Sequence, residues 1–281
     1  MWAVAELDRE GRWGADDAHV VPWWSFTKSL LGWAAHQQVE AGTWSWDEAF
    51  RGHPFTLRQL VQHRAGLPDY GALPAYQAAV GAGEEPWPFD EVWARTEADR
   101  LRTPPGAAFA YSNVGYGLLR RALEEAWGAP LHVGLRTHVL DRLGLERARV
   151  ANTREDFAAT VFPGGQGYHP GWVYHGVVIG PAREAALALR GLPIEALAAP
   201  MMPVPGVPAP WVGGGYATGL MVGPWAAVGG GEPFEVVGHG AGGPGSAGAV
   251  FCRRDGTTVA AFTDDPGHDA AMHEAHRRLA P

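Results

Sequence analysis

The hydrophobic rhythm of the chain changes along its length. Residues 2–8, "WAVAELD", alternate apolar and polar positions, and "REGR" follows as a turn, which predicts an N-terminal strand opening a hairpin. Past Pro22 the period lengthens: Leu30, Leu31, Ala34, Ala35 and Val39 recur at helical spacing between Ser25 and about Glu40, and Gly42 ends the run. From about 49 to 200 the pattern is helical and loop-rich. Thr56 reads as the cap of "LRQLVQH", and "SNVGYGLLRRALEEAWG" (112–128) reads as a helix closed by Gly128. "HVLDRLGL" and "PAREAALALRGL" read as two more helices, with the loop composition "VFPGGQGYHPGW" between them. Beyond the Pro/Gly segment "MMPVPGVPAPWVGGG" the period shortens again. "YATGLMVG", "FEVVGHG", "AGAVFCRRD" and "TTVAAFTDD" are short strand-like runs, and "DAAMHEAHRRL" closes the chain as a helix.

Strands at both ends and helices between them predict an α+β fold: an antiparallel sheet flanked by helices, formed from both chain ends. The expected division is 1–48 with 211–281 for the sheet-bearing lobe and 49–210 for a mostly helical lobe, together one domain. Segment 203–215 is expected to be a return connection into the sheet, so the first strand and the strands after 215 share it.

Composition narrows the partners. The chain has 281 residues, 46% hydrophobic and 19% charged, enough to bury a sizeable core. A net charge of −8 and the absence of a basic patch argue against nucleic acid and anionic membranes. No apolar run approaches the ~18 residues a membrane span needs. Acids within the first ten residues do not fit a secretory signal, and Cys252 is the lone cysteine, so a cytoplasmic home is expected. His273 and His276 are three apart, not in the spacing that sets two metal ligands on one helix face; they read as a solvated helix face, and no metal or other cofactor is expected. A monomer or weak oligomer is expected.

One residue stands out against this background. Lys28 is the only lysine, while the other 21 of the 22 basic side chains are arginine. It follows Ser25 by three, in "WWSFTKS", and Ser-x-x-Lys is a motif with a mechanism. Arginine cannot deprotonate in a protein, whereas a desolvated lysine does so readily. On a helix, positions three apart share a face, which sets a nucleophile beside an amine. The competing reading is a surface lysine on a helix. Two further stretches carry similar pairs of readings. "PGAAFAYSNVGYGLL" sets Tyr111 and Asn113 at a turn that opens a helix, either aimed into a cleft or packed as an aromatic with a cap. "VVGHGAGGPGS" ends a strand in glycines, either to let backbone N–H groups approach a ligand or as a plain hairpin.

Taken together and in this order, the three stretches resemble the serine β-lactamase-like and penicillin-binding superfamily, closest to class C β-lactamases and their esterase and D-amino-acid peptidase relatives. "SFTK" is similar to its Ser-x-x-Lys box, "YSN" to its Tyr-x-Asn, and "HGAGG" stands where it carries Lys-Thr-Gly or His-x-Gly. "FTLRQLVQHRAGLPDY" and "GWVYHGVVIGPAREAALAL" resemble flanking segments, so the likeness runs from about residue 2 to 279. Three departures stand out. Ala241 occupies a position usually held by glycine. An N-terminal helix before the first strand is expected to be absent. "AGLPDYGALPAYQAAVGAG" differs after the shared segment and is expected to reshape the substrate cleft.

The resemblance implies acyl transfer through an acyl-enzyme at Ser25, with Lys28 and Tyr111 together removing its proton. It implies that Asn113 orients the substrate amide or the lysine amine. The Ser25 N–H and an N–H near Gly242 would form an oxyanion hole. His239, with Gly240 and Ala241 beside it, would replace a cationic lysine. A histidine there is mostly neutral at pH 7, which favours an ester or amide over a β-lactam carrying a carboxylate. Trp24 and Trp172, with Trp23, Tyr168 and Tyr174, are expected around an apolar cleft. The expected partner is a small-molecule ester, amide or lactam, the activity most simply that of an esterase. A β-lactamase or D-amino-acid peptidase would share every catalytic residue. A non-catalytic binding module would have no need of the lone lysine.

Overall fold

The computed structural model describes residues 1–165, 167–229 and 231–281. Gln166, inside the loop expected at 161–172, lies outside the described residues. Among them eight strands form one antiparallel sheet. Strands β1 (Trp2–Leu7) and β2 (Trp13–Asp16) make the N-terminal hairpin, and β3 (Val20–Pro22), β4 (Arg149–Val150) and β5 (Val178–Pro181) form a separate small sheet. The rest of the large sheet comes from β6 (Met202–Pro203), β7 (Gly215–Tyr216), β8 (Met221–Trp225), β9 (Phe234–Gly243), β10 (Ser246–Arg253) and β11 (Thr258–Thr263), in the order β2-β1-β11-β10-β9-β8-β7-β6. The first strand thus lies against the last, with Trp2 opposite Thr263 and Leu7 opposite Thr258.

Alternation along the central strands separates two cores. Ala247, Ala249 and Phe251 of β10 face one side, with Val259 and Ala261 of β11. There they meet Ala271, Ala275 and Leu279 of the C-terminal helix His268–Leu279. Val250 and Cys252, with Ala260 and Phe262, face the other side, toward the helices. The C-terminal helix is therefore solvated on one stripe only. His273 is exposed, but His276 is half-buried and stacks on Phe234.

Helix α1 (Thr27–Glu40) packs against α2 (Asn113–Trp127). Ser112 caps α2 by accepting from the Gly115 N–H, and Gly128, at φ +61°, ends it. Thr56 and Gln59 form a capping box on helix Leu57–Val61, which stops short of the expected span, just before His63 at φ +56°.

The structure differs from the sequence reading in three places. The helix expected at 138–145 instead occupies Leu131–Leu135 and continues as a π turn over Arg136–Leu140, since Pro130 starts it earlier. Segment 203–215 does not bring the chain from the helices to the sheet but joins β6 to β7, the last two strands at one edge, while the first strand and the strands after 215 share the sheet as expected. The edge strand Met202–Pro203 was hidden by its proline, which an edge tolerates. Helix α3 (Ala182–Gly191) falls within 49–210, yet it packs on β1, β10 and β11, because its buried Ala185, Ala186, Ala188 and Leu189 present a small apolar face. The sheet lobe therefore takes its covering helix from the middle of the chain. Among the described residues no helix is long and apolar enough to cross a membrane.

Candidate active site

Ser25 sits in a single 3₁₀ turn, Trp24–Phe26, immediately before α1. This turn is fastened from three sides. The Trp23 N–H donates to the Val178 carbonyl at 2.8 Å, the Val178 N–H donates to Thr27 Oγ1 at 3.0 Å, and Trp24 Nε1 donates to Ser246 Oγ at 2.8 Å. These ties hold Trp24 at φ +40°, an uncommon backbone for a bulky residue. Gly243 makes room for the indole: a Cβ there would stand 2.5 Å from the Trp24 ring.

Lys28 is fully buried, at 0% exposure. Its Nζ stands 3.1 Å from Ser25 Oγ and 2.8 Å from Asn113 Oδ1. Burial pushes the Lys28 pKa well below the ordinary lysine range, and the charge of Asp69 only partly opposes this. Asp69 makes no ion pair with the amine. Its carboxylate accepts from the Asn113 N–H at 2.6 Å, the Gly71 N–H at 3.1 Å and Asn113 Nδ2 at 3.4 Å. The last contact turns Asn113 Oδ1 toward Lys28.

Tyr111 completes the group. Its ring centroid lies 5.0 Å from Lys28 Nζ, it packs on the His63 ring at 4.1 Å, and its phenol is near enough to Ser25 for the hydroxyl to favour its ionised form slightly. Burial raises the phenol pKa far above its usual value, so Tyr111 is a neutral phenol at pH 7.

A cleft of about 130 Å³ opens over Ser25. Trp24, Tyr70, Tyr76 and Tyr168 give it an aromatic wall, and Asn113, His175 and the strand end Gly242–Pro244 line the remainder. Among the described lining residues there is no carboxylate, lysine or arginine.

The structure thus brings Ser25, Lys28, Tyr111 and Asn113 together, and places Trp24 and Gly242 in the cleft wall. Gly240 faces open space, since a Cβ there would meet nothing within 4 Å. Ala241 is core, at 0% exposure. His239 is buried at 3% and points to Tyr216. Its Nδ1–H donates to the Gly240 carbonyl, a group that can only accept, so Nε2 accepts from the Tyr216 hydroxyl at 2.7 Å. Trp172 stands one layer behind the wall: it is buried, edge-on to Tyr76, with its Nε1 donating to the Glu84 carbonyl. The sequence reading passed over Asp69, Tyr70, Tyr76 and His175. Asp69 and Tyr70 lie in the quoted "GLPDY" and His175 in "GWVYHG", but nothing in spacing alone marked them.

The chain matches the family model described as Beta-lactamase over residues 2–280. A segment of 85 residues is 34% identical to the D-alanyl-D-alanine-carboxypeptidase/endopeptidase AmpH of Escherichia coli (strain K12), covering 29% of this chain and 20% of that protein. Another of 110 residues is 29% identical to a D-aminopeptidase of Cereibacter sphaeroides, covering 37% of this chain and 20% of the relative. The matches thus span about a fifth of the length of these relatives. Among solved structures, a D-stereospecific amidohydrolase from Streptomyces sp. superposes with a TM-score of 0.77 at 23% identity, over 98% of this chain and 93% of that one. A D-amino acid amidase from Ochrobactrum anthropi SV3 gives 0.75 at 16% identity, over 99% and 94%. At these identities the likeness is one of fold.

Proposed function

The chain belongs to the Beta-lactamase family, and from that premise we propose that it is a serine hydrolase that forms an acyl-enzyme at Ser25 on small, uncharged esters and amides. The observation that carries this reading is the buried Lys28 amine 3.1 Å from Ser25 Oγ without a carboxylate paired to it. Burial lowers the pKa of a lysine in that setting, which frees its amine to accept the proton on Ser25. Ser25 Oγ would then attack the substrate carbonyl. The Ser25 and Gly242 N–H groups, both at the cleft, would face the developing oxyanion, each worth about 3 kcal/mol. The amine returns the proton to the leaving group, and the neutral Tyr111 phenol, beside Ser25, offers a relay for it. Water then repeats the sequence on the acyl-enzyme.

The lining supports the choice of substrate. A carboxypeptidase or β-lactamase substrate carries a carboxylate, and a free amino-acid amide carries an ammonium. No charged side chain among the described lining residues matches either. The aromatic wall suits an apolar acyl group. A second reading, hydrolysis of D-amino acid amides or peptides, is favoured by the names of the similar proteins.

A fluorophosphonate probe followed by peptide mass spectrometry tests the nucleophile; an adduct on Ser112 or Ser246 rather than Ser25 overturns the assignment. Turnover of p-nitrophenyl esters, N-blocked and free D-amino acid amides, and nitrocefin separates the substrates. Preference for the free D-amino acid amides would favour the second reading.

A further inference from the structure

His175 touches the catalytic lysine, and no step above uses it. It is 3% exposed, it lines the cleft, and its Nε2 and Nδ1 lie 3.2 and 3.4 Å from Lys28 Nζ. In a neutral imidazole one ring nitrogen carries the hydrogen and the other is bare and accepts, and both nitrogens of this ring lie within reach of the amine.

A neutral amine has two hydrogens and one lone pair. Lys28 Nζ has three polar partners within reach. Asn113 Oδ1, at 2.8 Å, only accepts, and its orientation is fixed by Asp69. The bare nitrogen of His175 also only accepts. These two take the two hydrogens, and Ser25, at 3.1 Å, is left facing the lone pair. We propose that His175 is a positioning residue of this site, which, by accepting one hydrogen of the Lys28 amine while Asn113 accepts the other, aims the lone pair at the Ser25 hydroxyl. The same set serves the next state. When the proton has moved from Ser25 Oγ to Nζ, the ammonium has three hydrogens, and His175 and Asn113 still accept two while the third is directed back to the reacting centre.

The surroundings keep the ring in its accepting form. Burial, and then the neighbouring Lys28, push the His175 pKa well below the ordinary histidine range. The other titratable or charged groups around the pair are Asp69 and the buried His63 toward Lys28, and His239 and Arg120 toward His175, with the Tyr111 and Tyr116 rings packed at the amine. None of these supplies a second acceptor in contact with Nζ.

This inference rests on the proposed roles of Ser25 and Lys28, but its test does not depend on them. Lysine labelled with ¹³C at Cε gives a single signal, because Lys28 is the only lysine of the chain. The signal is titrated in the full chain for wild type, His175→Gln, His175→Phe and His175→Leu, and kcat/KM is measured on an ester. Gln keeps one acceptor and one donor, and should leave the midpoint and the rate within about threefold of wild type. Phe and Leu remove the acceptor without admitting water. The ammonium loses more than the amine does, so the midpoint should fall by about one pH unit. The plateau of kcat/KM should fall about 10–100-fold, with KM nearly unchanged. Leu, the smaller of the two, stands in if Phe does not fold. A wild-type midpoint in either apolar variant, or a Gln variant as impaired as they are, overturns the inference. Failure of the functional reading would show separately, as a wild-type chain whose Ser25 no serine probe labels; the lysine titration would still decide whether His175 holds the amine.

Discussion

Asp69 grips Asn113 at two points, accepting from its backbone N–H at 2.6 Å and from its Nδ2 at 3.4 Å. The side-chain amide is thereby turned so that its oxygen, 2.8 Å away, meets Lys28 Nζ. Asp69 thus acts twice, by orienting Asn113 and by placing a negative charge near the amine.

Asp69→Asn separates these effects. The new amide can present N–H groups to Asn113 and loosen its orientation, so the plateau rate should fall about tenfold. Loss of the charge removes the one influence that raises the Lys28 pKa, so the acid limb of the pH–rate profile should move to lower pH. A variant that is slower with an unmoved limb would show that the charge does not reach the amine.

Lys28→Arg should be nearly as damaging as Lys28→Ala, each lowering acylation about 10²–10⁴-fold. Arg keeps the charge but cannot accept a proton near neutrality. Arg also carries a permanent charge into a fully buried position, so the melting temperature should fall, and rates are compared at temperatures below the variant's transition. A folded Lys28→Arg chain with most of its acylation rate would mean that proton transfer bypasses this side chain.

The wild-type pH profile should have one limb. In the proposed mechanism Lys28 acts unprotonated, so kcat/KM should rise as pH climbs through its lowered pKa. Tyr111, its pKa raised by burial, keeps its proton, so the plateau should run flat to about pH 10. A descending limb between pH 7 and 9 would show that the site needs its ammonium instead.

Local signals were legible where one residue type is enough to carry the chemistry. Ser25 and Lys28 are three apart in sequence, and the turn that joins them is set by that spacing. The apolar run in "AGAVFCRRD" foretold a strand, found as β10, and Gly128 foretold the end of α2. Tertiary encounters were not legible. His175 is 147 positions from Lys28, and only the pairing of β5 with β3 brings its neighbourhood to the nucleophile turn. Asp69 reaches Asn113 across 44 positions. His239 stood in a motif position, but its direction is set by Tyr216, a partner that spacing does not reveal. The two-residue edge strand β6 is too short to leave a period.

The buried amine should also be visible as a stability cost that depends on pH. An unfolded lysine titrates near 10.4, and the folded one lower, because burial disfavours its charge. Between those two values the unfolded chain binds a proton that the folded chain does not. Folding is therefore penalised by about 1.4 kcal/mol for each pH unit below the unfolded value, until the folded pKa is reached, and the penalty vanishes above about pH 10.4. Methionine has similar length and does not titrate. Lys28→Met loses the hydrogen bonds to Asn113 and Ser25, an offset that is constant with pH, and gains relief from the penalty, which is not. The difference in melting temperature, variant minus wild type, should thus be most positive up to the lowered folded pKa and shrink steadily from there toward pH 10. Its sign at any one pH depends on the offset, so the slope is the measurement. A difference that stays level from pH 7 to 10 would mean that Lys28 keeps its proton in the folded chain. The amine could not then serve as the base for Ser25.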